Sequence, residues 1–231
     1  MSALLEATDL HTFYGASHVL HGVTFSVEPG QTVTLMGRNG MGKTTTIRSV
    51  LGLTPPRSGE VRVDGKPVTG WPAHRIAAEG IALVPEGRGI FPTLSVRENL
   101  RVAQRPGRWT EERALALFPR LRDRLAHLGS QLSGGEQQML SIARALLTNP
   151  RLMILDGATE GLAPLIRQEI WAAVRRLRDE GIAALVVDKE VKKLLELGDR
   201  HLILLKGRVV FRGDTAAFRA RAEANLGLLR A

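Results

Sequence analysis

The stretch QTVTLMGRNGMGKTTTIRSVLGL, residues 31–53, decides how the rest of the chain is read. Its first half is a short apolar run, read as a strand after the Pro29-Gly30 turn. Its last half reads as a helix that is closed by Thr54, Pro55 and Pro56. Between them GRNGMGKT, Gly37 to Thr44, fits the spacing G-x-x-x-x-G-K-[ST]. Glycines there let backbone N–H groups crowd around phosphate oxygens, and the helix start adds its positive end. Gly37, Arg38, Asn39, Gly40, Met41, Gly42, Lys43, Thr44 and Thr45 are the candidate nucleotide-binding set. Lys43 would supply a point charge to the β and γ phosphates, and Thr44 a hydroxyl to Mg²⁺.

A second element downstream supports this reading. In RLMILD, residues 151–156, an apolar run ends in Asp156. A buried parallel strand delivers such a carboxylate to the sheet edge where ligands bind, so Asp156 is a candidate for holding Mg²⁺. Upstream of that strand, LSGGEQQ (residues 132–138) places Ser133, Gly134, Gly135 and Glu136 at the start of a helix over 134–147. That is a second anion-binding helix start, or a plain serine cap.

Outward from these motifs, apolar strands alternate with helices, which implies a parallel sheet covered on both faces. Residues 3–9 and 22–27 read as short strands. Residues 60–68 read as a strand and turn, 71–80 as a short helix, and 81–87 as a strand that breaks at Pro85. Helices are expected over 95–128, with no strand, and over 164–180. A strand at 181–188, a helix, a hairpin over 200–213 and one final short helix complete the chain. Residues 86–145 interrupt the alternation as an inserted helical subdomain, leaving 1–85 and 146–231 as the core.

The motifs, in this order and over essentially the whole chain, resemble the ABC ATPases, the nucleotide-binding subunits of ATP-binding-cassette transporters. They are GRNGMGKTT, LVPEGRGIF, LSGGEQQMLSIARAL, RLMILD and LVVDKE. SHVLHGVTFSVEPGQ, VPEGRGIFPTLSVRENL and ATEGLAP look most like the LivF-like branch, which serves branched-chain amino acid importers. The resemblance implies an α/β P-loop fold with a RecA-like core, an N-terminal antiparallel β-subdomain and an inserted helical subdomain. It implies ATP and Mg²⁺ as cofactors and a head-to-tail dimer, homo- or heteromeric, with a second ATPase subunit. Ser133, Gly134, Gly135 and Glu136 would then contact the γ-phosphate held by that partner. Tyr14 falls where the family stacks an aromatic ring on adenine, and Glu86 where most members place a glutamine near Mg²⁺. Membrane-spanning permease subunits would sit on the helical subdomain, and the chain would lie in the cytoplasm, peripheral at the inner face of the cell membrane.

The resemblance also exposes departures. The family's catalytic glutamate follows the Asp of the strand, and here that position is Gly157. The switch position, often histidine, is Lys189, and Ala163 stands where many members carry aspartate. Impaired hydrolysis at the chain's own site is therefore expected, with binding intact. Glu160 and Asp188 are the two carboxylates that could substitute.

Composition narrows the alternatives. The 231-residue chain carries a net charge of +9, no cysteine and 4% aromatic residues. Disulfides and thiolate metal sites are excluded. No apolar run approaches the roughly 18 residues of a spanning helix, and the N-terminus is not a signal peptide. The charge admits a second reading, a non-transport ATPase acting on nucleic acid. Scattered arginines and few aromatics argue against a base-stacking platform. A nucleotide-gated subunit without turnover is the third reading.

Overall fold

The computed structural model describes residues 2–230. Its centre is a six-stranded sheet in the order β10-β9-β3-β8-β7-β6. The strands are β3 (Thr32–Met36), β6 (Ile81–Val84), β7 (Leu152–Asp156), β8 (Ala183–Val187), β9 (Arg200–Leu205) and β10 (Arg208–Gly213). All neighbours pair in parallel except the β9–β10 hairpin. Every residue of β3, β7 and β8 is buried, as strands covered on both faces must be.

The alternation of side chains divides the interior into two cores. Val33, Leu35, Leu152, Ile154, Ala183 and Leu185 point to one face. There they meet α1 (Lys43–Val50) and a four-stranded antiparallel sheet, β2-β1-β4-β5. That sheet comprises β1 (Leu5–Tyr14), β2 (Ser17–Val27), β4 (Ser58–Val63) and β5 (Lys66–Pro67). α2 (Ala73–Ala78) adds Ile76 to the same core. Met36, Met153, Leu155, Ala184 and Val186 point the other way. They pack with helices that include α3 (Val96–Arg101), α4 (Glu111–Leu117), α5 (Pro119–Arg122), α6 (Gly134–Leu146) and α7 (Pro164–Asp179). α8 (Val191–Leu197), α9 (Thr215–Ala220) and α10 (Ala222–Arg230) finish the chain.

Three local expectations change. The first hairpin runs to Tyr14 and resumes at Ser17, well beyond the strands read at 3–9 and 22–27. Its polar middle hides the strand, and the pairing register slips near Asp9, which sits at φ 50°. The helical stretch 95–128 is three short helices of 6, 7 and 4 residues, interrupted around Pro106-Gly107 and at Phe118 and ended at Arg122. The single final helix is two, broken at Arg221.

Candidate phosphate site

Because β3, β8 and β7 are adjacent and parallel, their C-terminal ends open on one sheet edge. The loop after β3 carries Gly37 to Gly42, β7 ends in Asp156, and Asp188 follows β8. Between the loop and the end of β7 lies a cavity of about 230 Å³. Asn39, Lys43, Thr44, Thr45, Glu86, Asp156, Gly157 and Glu160 contribute to its lining.

Backbone geometry shapes this loop. Gly42 immediately precedes α1 at φ 102°, and a β-carbon there would stand 2.9 Å from Leu20 Cδ2. Only glycine meets both conditions without strain. The Lys43 ammonium folds back over the loop, donating to the carbonyls of Gly37 and Arg38, both at 2.8 Å. Burial pushes its pKa down, against the pull of Glu160 and Asp156, and the Lys189 charge adds to the depression. A partly desolvated ammonium held this way is preorganised for an anion. Met41 turns away from the cavity and anchors the loop to the β9–β10 hairpin, where its carbonyl accepts from Gly207 N at 3.0 Å.

Asp156 is buried, and burial raises its pKa, while a hydrogen bond from the Thr44 side chain opposes the rise. Glu86 and Glu160 add negative charge beside it. A hydroxyl and carboxylates with no basic side chain bonded to Asp156 form a hard oxygen set of the kind Mg²⁺ takes together with phosphate oxygens and water. Among the described residues no group of three or more His, Asp or Glu is placed to hold a metal ion unaided.

The other predicted residues lie apart from this cavity. Ser133 caps α6 in a reciprocal box: its hydroxyl accepts from Glu136 N at 3.3 Å, and Glu136 Oε2 accepts from Ser133 N at 2.8 Å. Burial would raise the Glu136 pKa, but the Ser133 bonds and Arg124 draw it below the usual range. None of Ser133, Gly134, Gly135 or Glu136 lines the cavity around Lys43. Tyr14 is exposed at the end of β1. The pKa of its phenol is raised by burial but drawn net downward by hydrogen bonds with Thr54 and Thr45 and by Arg48; Thr45 lines the cavity and Tyr14 does not. Lys189 faces an adjoining hollow with Gly37 and Asn39.

Asp188 and Glu160 separate clearly. Asp188 is buried and fully engaged: Oδ2 accepts from Thr159 N at 3.3 Å and Thr159 Oγ1 at 2.6 Å, and Oδ1 from the amides of Lys189 at 2.7 Å and Glu190 at 3.0 Å. It braces the loop after β7 against the loop after β8 and has no oxygen to offer a ligand. Glu160 lines the cavity itself.

Arg88 escaped the sequence reading. It sits at φ 61°, donates to Gln137 Oε1 at 2.9 Å, and its carbonyl accepts from Ser141 Oγ. Its guanidinium also lies where a β-carbon on Gly134 would fall. The segment bearing Glu86 is thereby fastened to α6. The cue in the sequence was weak, an arginine between two glycines.

A phosphate-cradling loop on β3 with a carboxylate at the end of β7 defines a P-loop nucleotide-binding protein. The model of the ABC transporter family matches residues 20–160, and the chain belongs to that family of ATPases. It is 39% identical over 222 residues to BraG, a high-affinity branched-chain amino acid transport ATP-binding protein of Pseudomonas aeruginosa, covering 93% of this chain and 94% of that one. It is 33% identical to a probable branched-chain amino acid transport ATP-binding protein, LivF, of Archaeoglobus fulgidus, over 91% and 92% of the two chains. LptB, of the lipopolysaccharide export system of Escherichia coli, is 34% identical over 91% and 90%. A solved ATP-binding subunit of an ABC transporter superposes with a TM-score of 0.82 at 31% identity, over 99% of this chain and 95% of that one.

Proposed function

We propose that this chain is the energy-coupling, ATP-binding subunit of an importer for branched-chain amino acids. The observation that carries this reading is the cavity where Lys43, Thr44 and Asp156 converge, on a chain that matches BraG almost end to end. ATP would bind with its phosphates on residues 37–45, Mg²⁺ between Thr44, Asp156 and Glu86, and adenine against Tyr14. The signature residues Ser133 to Glu136 stand away from that cavity, which suits contact with ATP on a second ATPase subunit. In this reading the helical segment 86–145 meets the permease subunits, and the chain works at the cytoplasmic face of the membrane. No helix among the described residues is long and apolar enough to cross a membrane, so anchoring falls to those partners.

The test uses the transporter complex reconstituted in vesicles. ATP-driven uptake of leucine, isoleucine or valine is expected, with Lys43→Ala abolishing ATP binding at this site. Should the second ATPase subunit carry the main turnover, Ser133→Ala will cripple uptake more than Lys43→Ala. Uptake of none of the three amino acids, with ATP binding intact, would refute the substrate assignment.

A further inference from the structure

Two of the positions at which the sequence departs from its family, Gly157 and Lys189, meet through a third residue. Gly157 is buried at φ 63°. A β-carbon built on it would lie 3.5 Å from Glu160 Cγ and 3.6 Å from Glu160 Cδ. The Glu160 carboxyl group thus stands at van der Waals distance from where a side chain at 157 would begin. The turn from 157 to 160 makes this possible, with Glu160 N donating to the Gly157 carbonyl at 3.1 Å. Asp188 fixes the turn by gripping Thr159 on both its amide and its hydroxyl. Glu160 Oε2 lies 3.1 Å from Lys189 Nζ, and its side chain is 28% exposed against 54% for the lysine. Glu160 shares the cavity lining with Lys43, Thr44 and Asp156.

We propose that Glu160 is the general base of this site, and that Lys189 is the residue that positions it. This rests on the ATPase reading of the cavity. As the water oxygen bonds to the γ-phosphorus, the bond from that phosphorus to the β–γ bridging oxygen breaks. Its electron pair leaves on ADP. The water proton passes to a Glu160 carboxylate oxygen and from there to solvent. Lys189 engages one carboxylate oxygen, which leaves the other to receive the proton. A β-carbon at 157 would be in ordinary contact with Glu160 and, at 3.4 Å, with Glu86 Cγ, so the Glu160 carboxylate stands beside the place where a side chain at 157 would start.

The experiment measures single-turnover hydrolysis and ATP affinity separately, in the complex with its permease and any second ATPase subunit disabled at its own phosphate-loop lysine. Glu160→Gln keeps the shape of the side chain and removes the base. The expected result is a loss of about 10²-fold in rate, with ATP affinity within threefold of the parent. A rate loss below tenfold overturns the proposal. So does a loss of affinity that matches the loss of rate, since that assigns Glu160 to binding. A parent complex that binds ATP at this site without hydrolysing it also overturns the proposal and leaves the binding function standing, whereas failure to bind ATP would overturn that function itself. Gly157→Glu in the Glu160→Gln background is expected to recover at least tenfold in rate. Recovery to the same extent by Gly157→Gln would show that bulk, and not a carboxylate, is what the site lacks, and would overturn the proposal as well.

Discussion

Lowering the pH from 7.5 to 5.0 should weaken the fold through His201. This residue is fully buried in β9, beside Thr34 of the strand that carries the phosphate loop. Its Nδ1 lies 2.8 Å from Thr34 Oγ1 and its Nε2 2.8 Å from Thr215 Oγ1. Thr215 Oγ1 also donates to the Leu195 carbonyl at 3.3 Å, so its oxygen accepts from Nε2–H, and Nδ1 accepts from Thr34. The neutral ring therefore has both nitrogens satisfied, and an added proton on Nδ1 would face the Thr34 hydroxyl. Burial lowers the pKa from 6.5 to about 4, and Asp199 and Asp214 only partly oppose this. A base depressed in the folded state contributes stability that is complete above the unfolded pKa and is lost as pH falls towards the folded one. Applied to these two pKa values, linkage gives a loss of about 2 kcal/mol at pH 5, rising towards about 3 kcal/mol below pH 4. Urea unfolding followed by tryptophan fluorescence at both pH values would measure it, with His201→Gln as the comparison. The variant should be less stable at pH 7.5 but lose about 2 kcal/mol less on acidification. His21, whose pKa is also depressed, by burial and then by His18, Arg208 and His11, titrates in both proteins and cancels in the difference. Equal acid losses in parent and variant would refute the reasoning.

Asp188→Asn removes a charged acceptor from four donors and should cost about 2–4 kcal/mol, read as a lowered thermal midpoint. Glu160→Gln, on a half-buried side chain with one exposed ion pair, should shift that midpoint little. Gly42→Ala forces a β-carbon towards Leu20 at a left-handed backbone position. A stability loss of about 1–2 kcal/mol is expected, with a fall in ATP affinity measurable by calorimetry.

The core of the site was legible because its signals are local. The Gly37–Thr44 spacing, the apolar run before Asp156 and the Ser133 cap each declare themselves within a few residues. The parallel sheet followed from runs such as LMIL and ALVV that only a doubly covered strand would bury. What stayed hidden depends on neighbours distant in sequence. Whether Asp188 or Glu160 could serve the cavity was open until the loops after β7 and β8 were seen tied together through Thr159. Arg88 looked like one arginine among many, because Gln137 and Ser141 lie some fifty positions away. The long first hairpin was missed because its strands carry polar residues on an exposed face, with a slipped register at Asp9.

The Arg88 tie has a mechanical consequence. Glu86 lies at the cavity, and Arg88, two residues on, is tied to Gln137 and Ser141 of α6. The nucleotide pocket and α6 are therefore joined by a link only two residues long. A partner that tilts α6 would pull on Arg88 and, through Gly87, on the backbone that carries Glu86 at the cavity.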